Sequence, residues 1–305
     1  ENMSGGDAHG PDRIFDVEIA FDTDSTMRSI RIRALDDVGC YPGRAPLQLG
    51  KPVGAIVGPY RIGSAQYEAI SVCTNKTSQE AVRGFGQSPT NFAIETGVDR
   101  IARHLDMDRN LVRRRNFIRA DQFPWTIPSG SAYDSGDYHA VQDKVLEAVN
   151  FEALVAKRDA LRWEGKLAGI GISTCLEPSG GNSSFEPLFN PKNDTTTWME
   201  TVLVKVDMLG TVTAMIGTSS SGQGHETLVA TVVGEELERD PDHIRVIHSD
   251  SVTALPSNSP VGSRMAVMMG GAATGAAAKI KARLLEIAGH NMQLPTDRLV
   301  YSGGN

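Results

Sequence analysis

The residues best suited to chemistry sit in three glycine-containing loops, each at the predicted start of a helix. The first is Ala81-Val82-Arg83-Gly84-Phe85-Gly86-Gln87-Ser88-Pro89. Ser88 reads as the N-cap and Pro89 as the first helical residue, with Ile94, Val98, Ile101, Ala102 and Leu105 on one apolar stripe beyond. A loop of this kind aims backbone N–H groups at something anionic or oxo-rich. Arg83 adds a permanent cation with a planar fork. Phe85, held between Gly84 and Gly86, offers a flat wall. The second loop is Gly222-Gln223-Gly224-His225-Glu226-Thr227, and the third is Gly262-Ser263-Arg264. A hydroxyl, a guanidinium and backbone amides suit a pyrophosphate. Taken singly, each loop is equally a plain turn or cap: Phe85 a core residue, His225 a helix-start or surface residue, Ser263-Arg264 an ordinary helix start.

Two nucleotide motifs are excluded. No Gly-Lys-Ser/Thr follows the second loop, so it is not a Walker A loop. A dinucleotide fingerprint needs a third glycine three residues after the second, where the chain has Thr227 in one loop and Pro89 in the other. Other reactive residues are scattered. Glu177, Glu200, Glu226 and Glu235 read as isolated, mostly solvated carboxylates. His104, His139, His243 and His248 lack ligand spacing, and no Ser/His/Asp set stands out. Cys40, Cys73 and Cys175 form no CxxC pair, which rules out a zinc ribbon or an iron–sulfur cluster held by this chain alone. Three thiols make a poor disulfide framework, so a reducing, cytoplasmic compartment is expected. Met265, Met268 and Met269 read as core filler.

The elements that must position these loops follow from the pattern. With 305 residues and 40% hydrophobic content, the chain has room for two globular domains. The net charge of -7 argues against a nucleic-acid partner. The arginine run 113–115 ends a predicted helix and reads as solvated or facing the helix dipole. Alternation predicts strands at 14–21 and 27–35, then an extended Pro/Gly-rich crossover over 41–59 and a short buried strand at 69–72. Helices follow at 89–105 and 109–116. Residues 138–162 read as helical, with Val141, Val145, Val149 and Leu154 as the apolar stripe, and 166–174 as a strand. Residues 177–196 read as loop, 198–206, 211–216 and 244–248 as strands, and 225–238 and 265–288 as helices. The uncharged run from Met265 to Ala278 is too short for a membrane span. Strand–strand–loop–helix occurs twice, so the expected fold is α+β in two related domains of mixed sheets flanked by helices, 1–138 and 139–305.

In this order the three loops, with Tyr133-Asp134-Ser135-Gly136-Asp137-Tyr138 and Leu111-Val112-Arg113-Arg114-Arg115-Asn116, resemble the molybdenum-binding subunit of the xanthine dehydrogenase and aldehyde oxidase family. The resemblance spans nearly the whole chain. It implies hydroxylation of an aldehyde or N-heteroaromatic carbon with oxygen from water. It implies a molybdopterin cofactor bearing molybdenum, in its cytosine dinucleotide form, held by Arg83, Gly84, Gly86, Gly222, Gln223, Gly224, His225, Gly262, Ser263 and Arg264, with Phe85 flanking the substrate. Electrons would leave to a [2Fe–2S] partner and an FAD partner, as separate chains or domains. The carbon monoxide-oxidising branch has a cysteine beside the metal, where this chain has a glycine after Arg83. The family's glycine-rich loop with its glutamine lies upstream of Glu1, and its general-base glutamate beyond Asn305. The chain opens without an initiator methionine and reads as a piece of a longer subunit, inactive by itself. The rival reading is an anion- or nucleotide-binding module without metal.

Overall fold

A computed structural model describes residues 8–178, 199–248, 250, 252, 255–258 and 260–304. They divide into two compact units, one running to Glu177 and the other starting at Pro178 and taking the described residues from 199 onward.

The first unit is built on strands β1 (Arg13–Phe21), β2 (Met27–Gly39) and β3 (Ser64–Cys73). β1 and β2 form an antiparallel hairpin with Val17 opposite Ile32, and β3 pairs parallel to β2 with Tyr67 opposite Ile32. The period-2 pattern places Ile30, Ile32 and Ala34 of β2 in the core. A parallel third strand requires a crossover, and 41–59 supplies it, but not in the extended form expected. It contains helix α1 (Ala45–Gly50) and a 3₁₀ turn at Lys51–Ala55, with Pro46 and Pro52 each in a first turn. Proline at those positions starts a helix rather than preventing one. The expected short buried strand at 69–72 is part of the ten-residue β3, which lies at the sheet edge with Val72 37% exposed.

Helix α2 (Gln87–His104) packs Ile94, Val98, Ile101 and Ala102 onto this core. It begins two residues earlier than Ser88 and Pro89 suggest. Gly86 is the N-cap, and Pro89 lies inside the first turn, where its missing N–H costs nothing. Helix α3 (Arg109–Asn116) starts as read, with Asp108 accepting from the backbone N–H groups of Asn110 and Leu111. Its arginine run is not uniformly solvated. Arg113 is fully buried, donating to Glu95 and Asp99 at 2.8 Å each and to the Ile172 carbonyl at 3.1 Å. Glu95 also accepts from the Tyr60 hydroxyl and from Thr174 N. Segment 166–174 is therefore held by side chains of α2 and α3 and is not a strand. A small ladder of β4 (Trp125–Thr126) and β5 (Ala132–Tyr133) leads into helices α4 (Tyr138–Ala148) and α5 (Phe151–Trp163), divided at Asn150. Both belong to the first unit. Val141, Val145, Val149 and Leu154 are 57%, 51%, 45% and 39% exposed, so this apolar stripe lies largely open.

The second unit repeats the sheet pattern. Strands β6 (Val202–Val206) and β7 (Val212–Ile216) are antiparallel, and β8 (Ile244–His248) pairs parallel to β7. Helix α6 (His225–Glu236) connects β7 to β8, and helix α7 (Met265–Met292) follows. Val229, Val233 and Leu237 bury one stripe against Ala214, Ile216, Met265, Met269, Ala273 and Ala277. The small residues of α7 permit this close packing. Trp198 and most of the expected loop 177–196 lie outside the described residues. Among the described residues, no helix is long and apolar enough to cross a membrane.

Candidate functional site

In each unit a motif loop follows a strand of the parallel pair. In the second unit the loop at Gly217–Gly224 leaves the carboxyl end of β7, and the chain leading to Gly262-Ser263-Arg264 leaves the carboxyl end of its parallel neighbour β8. This is the side of an open sheet where ligands commonly bind. The two chain segments touch at their roots: a Cβ on Gly217 would lie 2.4 Å from the Leu255 carbonyl oxygen. In the first unit the chain carrying Arg83-Gly84-Phe85-Gly86 follows β3 and enters α2.

The motif helices begin differently from α3, α4 and α5. Helices α3, α4 and α5 are capped by the side chains of Asp108, Asp137 and Asn150. Helices α2, α6 and α7 start from Gly86, Gly224 and Arg264 with no side-chain cap bond, as does the six-residue α1. The chain enters all three motif helices through left-handed backbone. φ is 96°, 42° and 84° at Gly84, Phe85 and Gly86, 97° and 74° at Gly222 and Gly224, and 82° and 52° at Gly262 and Ser263. First-turn N–H groups without a side-chain acceptor, at the positive end of the helix dipole, are open to an external anion. At Gly86 glycine is required. A Cβ there would lie 1.8 Å from the Gln48 carbonyl oxygen.

The individual side chains divide between outward-facing and internally committed. Arg83 is exposed and Phe85 half-buried. The Lys51 ammonium lies 5.9 Å from the Phe85 ring centroid and 2.9 Å from Glu177. Lys51 is only 5% exposed, and no local pattern marked it in the sequence. Gln223 is exposed, and its Oε1 accepts from Ser220 Oγ at 3.3 Å and from Ser221 N, while Ser220 Oγ accepts from Gly224 N at 3.1 Å. The loop thus holds its own shape. His225 is not a surface residue: it is 4% exposed, with Nδ1 lacking a partner among the described residues.

Several carboxylates are not isolated. Glu226 pairs with His248 at 2.5 Å, and His248 Nδ1 lies 3.1 Å from the Thr218 carbonyl. A hydrogen bond from its own backbone N–H, then one from His248, hold the Glu226 carboxyl below its ordinary range. The largest departure concerns Arg264 and Glu200. Their side chains are 0% and 1% exposed and meet at 2.6 Å, and Glu200 also accepts from Ser257 Oγ at 2.7 Å. Arg264 therefore has its charge compensated inside the protein, which leaves Gly262 and Ser263 as the outward part of that loop. Among the described residues no His/Cys/Asp/Glu group could hold a metal ion, and the three cysteines are free.

The fold and these loops place the chain in a family. Residues 144–305 match a family described as "Molybdopterin cofactor-binding domain", and residues 1–117 match a second family with the same description. The chain belongs to the molybdopterin cofactor-binding domains. It is 30% identical to the "Nicotine 6-hydroxylase large subunit" of Paenarthrobacter nicotinovorans, over 100% of this chain and 37% of that one. It is 33% identical to the "Carbon monoxide dehydrogenase large chain" of Hydrogenophaga pseudoflava, over 96% of this chain and 37% of that one. Among solved structures it resembles quinoline 2-oxidoreductase from Pseudomonas putida 86, with a TM-score of 0.87 and 28% identity, covering 98% of this chain and 38% of that one. The chain thus spans little more than a third of these relatives.

The residues present fit a phosphate-bearing, oxo-rich cofactor. Gly222 and Gly224 have open space where a Cβ would stand, the α6 start is uncapped by a side chain, and a buried imidazole nitrogen there lacks a partner.

Proposed function

We propose that this chain is the part of a molybdenum hydroxylase that holds the molybdopterin cofactor, in its cytosine dinucleotide form, by the starts of α2, α6 and α7. The whole enzyme oxidises an aldehyde or N-heteroaromatic carbon with water-derived oxygen and passes electrons to [2Fe–2S] and FAD partners. The bound cofactor supplies the oxygen-transfer and two-electron chemistry. The residues of this chain bind and orient it. Gly222, Gln223, Gly224 and His225 offer amides, a carboxamide and an imidazole to its polar end. Gly262 and Ser263 add amides and a hydroxyl, with Arg264 anchoring their loop through Glu200. Arg83, Gly84 and Gly86 border the reacting end, and Phe85 presents its ring to substrate. The compartment is reducing and cytoplasmic, consistent with three free thiols.

The observation that carries this reading is the absence of side-chain caps on the three motif helices, beside helices capped by Asp or Asn. It suggests a test, Gly224→Asp in the full-length subunit. Aspartate tolerates left-handed backbone better than most residues and is a good N-cap. It should leave the melting temperature of the cofactor-free protein unchanged or higher, while its carboxylate repels the anionic ligand and lowers molybdenum content severalfold. Undiminished molybdenum in the variant would defeat the assignment.

A further inference from the structure

We propose that a cavity at the far end of α2 is a second ligand site, taking a small molecule that carries a diphosphate. The cavity has a volume of about 530 Å³ and lies wholly within the first unit. Arg103 of α2, Arg109 of α3, and Arg158 and Arg162 of α5 stand around it. None of the four takes part in holding the cofactor proposed above. Arg103 lies sixteen residues beyond the first residue of α2, about 24 Å along the helix axis from the loop that carries Phe85.

The whole chain carries a net charge of -7, so this cluster runs against the composition. Two carboxylates share the cavity wall, and both are committed elsewhere. Asp99 accepts from the fully buried Arg113 at 2.8 Å, and Asp108 accepts from the backbone N–H groups of Asn110 and Leu111 at 2.8 and 2.9 Å. Arg109 reaches Asp99 only at 3.7 Å. Arg103 and Arg162 direct Nε to backbone carbonyls, of Asp99 at 3.3 Å and Ala168 at 2.9 Å, and pair with no carboxylate among the described residues. Arg158 Nε donates to Asp159 at 2.8 Å. The Nη groups of Arg103, Arg158 and Arg162 have no acceptor among the described residues. A basic residue in a last helical turn faces its own dipole, which accounts for Arg103 and Arg162 taken singly. It does not account for Arg109, the first residue of α3, where a cation is unfavourable.

The ligand follows from the wall. A guanidinium is a planar fork that meets two oxygens of one phosphate together. Four guanidiniums against two carboxylates leave an excess of two positive charges, which matches a diphosphate better than a single carboxylate. The volume is that of a small-molecule site. Ala102, Met107 and Ile170 add an apolar wall, so a nucleoside diphosphate and free pyrophosphate are two sources of the same chemistry.

The test uses the full-length subunit with its native partners, titrated calorimetrically with ADP and with inorganic pyrophosphate. The wild-type protein should bind at least one of them at one site per chain. Arg103→Gln/Arg162→Gln should weaken that binding at least about tenfold and leave molybdenum content unchanged. Tighter binding of ADP assigns the apolar wall to a nucleoside, and ADP no tighter than pyrophosphate assigns the site to the diphosphate alone. Arg28→Gln, which removes an exposed arginine of β2, should leave binding unaltered. On the wild-type protein, the tighter ligand should also suppress phenylglyoxal modification of Arg103 and Arg162, read by peptide mass spectrometry. No binding of either ligand overturns the proposal, as does binding undiminished in the double variant, an equal loss in Arg28→Gln, or modification that the ligand does not suppress. A double variant that loses molybdenum would make the cavity part of the cofactor site and overturn a separate ligand. The binding results stand whatever metal the wild-type protein carries, so wild-type protein without molybdenum counts against the functional reading alone.

Discussion

The buried pair of Arg264 and Glu200 separates a structural role from a ligand-binding one. Their side chains are 0% and 1% exposed and 2.6 Å apart. Arg264→Met keeps the volume and removes the charge, leaving the Glu200 carboxylate buried beside the Ser257 hydroxyl at 2.7 Å. Breaking one side of a buried pair costs about 3–5 kcal/mol, a large fraction of the roughly 5–15 kcal/mol that holds a domain. The double variant Arg264→Met/Glu200→Met removes both charges and should recover most of that loss, because well-packed apolar replacements of a buried pair are often neutral. The cycle should therefore show strong coupling. The assay is native-state hydrogen exchange of the β6 and α7 amides in the full-length subunit, which reads local opening free energies. A single variant that opens less than about 1 kcal/mol more readily, yet loses its molybdenum, would show that Arg264 acts on the ligand and that the pairing has been misread.

Three further outcomes follow from particular residues. Gly86→Ala should lower thermal stability by at least about 1–3 kcal/mol from the left-handed backbone alone, with a clash against the Gln48 carbonyl oxygen in addition; unchanged melting would refute the loop geometry. Phe85→Ala in the complete enzyme should cut turnover while leaving molybdenum content intact, since losing an apolar wall at ~1.5–3 kcal/mol corresponds to about a ten- to hundredfold effect; unaltered turnover would mean that the ring does not meet substrate. Asp37 is pushed down to about 2 by hydrogen bonds from Lys76 and then Thr74, from an ordinary 3.8. Its folded value is the lower one, so its contribution is present above pH 3.8 and is lost as pH falls toward 2. Carbon chemical shifts of the Asp37 carboxyl should follow that titration, and Lys76→Met should return it toward 3.8; an unmoved midpoint in the variant would contradict the cause.

What was legible in the sequence was mostly local. Helix α3 could be bounded because Asp108 caps it, and β8 because Pro241 and alternation frame it. The crossover 41–59 misled because proline density resembles extended chain, while Pro46 and Pro52 start helical turns. The stripe Val141, Val145, Val149 and Leu154 has the period of a packed face, but periodicity does not say whether anything covers it. The buried pairs were invisible for a different reason. Arg113 meets Glu95 eighteen residues away, and Arg264 meets Glu200 in the chain before β6, with no local signal joining either pair. The glycine loops were legible as unusual backbone shapes at helix starts, because left-handed backbone and close approach select glycine.

The proposed role of the α2, α6 and α7 starts is to hold a molybdenum cofactor. It is tested most directly by metal analysis of the full-length subunit purified with its native partners. Molybdenum near one atom per chain is expected, released together with a phosphate-bearing pterin on denaturation. Metal-free protein, carrying only a nucleotide or simple anion at these loops, would contradict it and make the chain a binding module without redox chemistry.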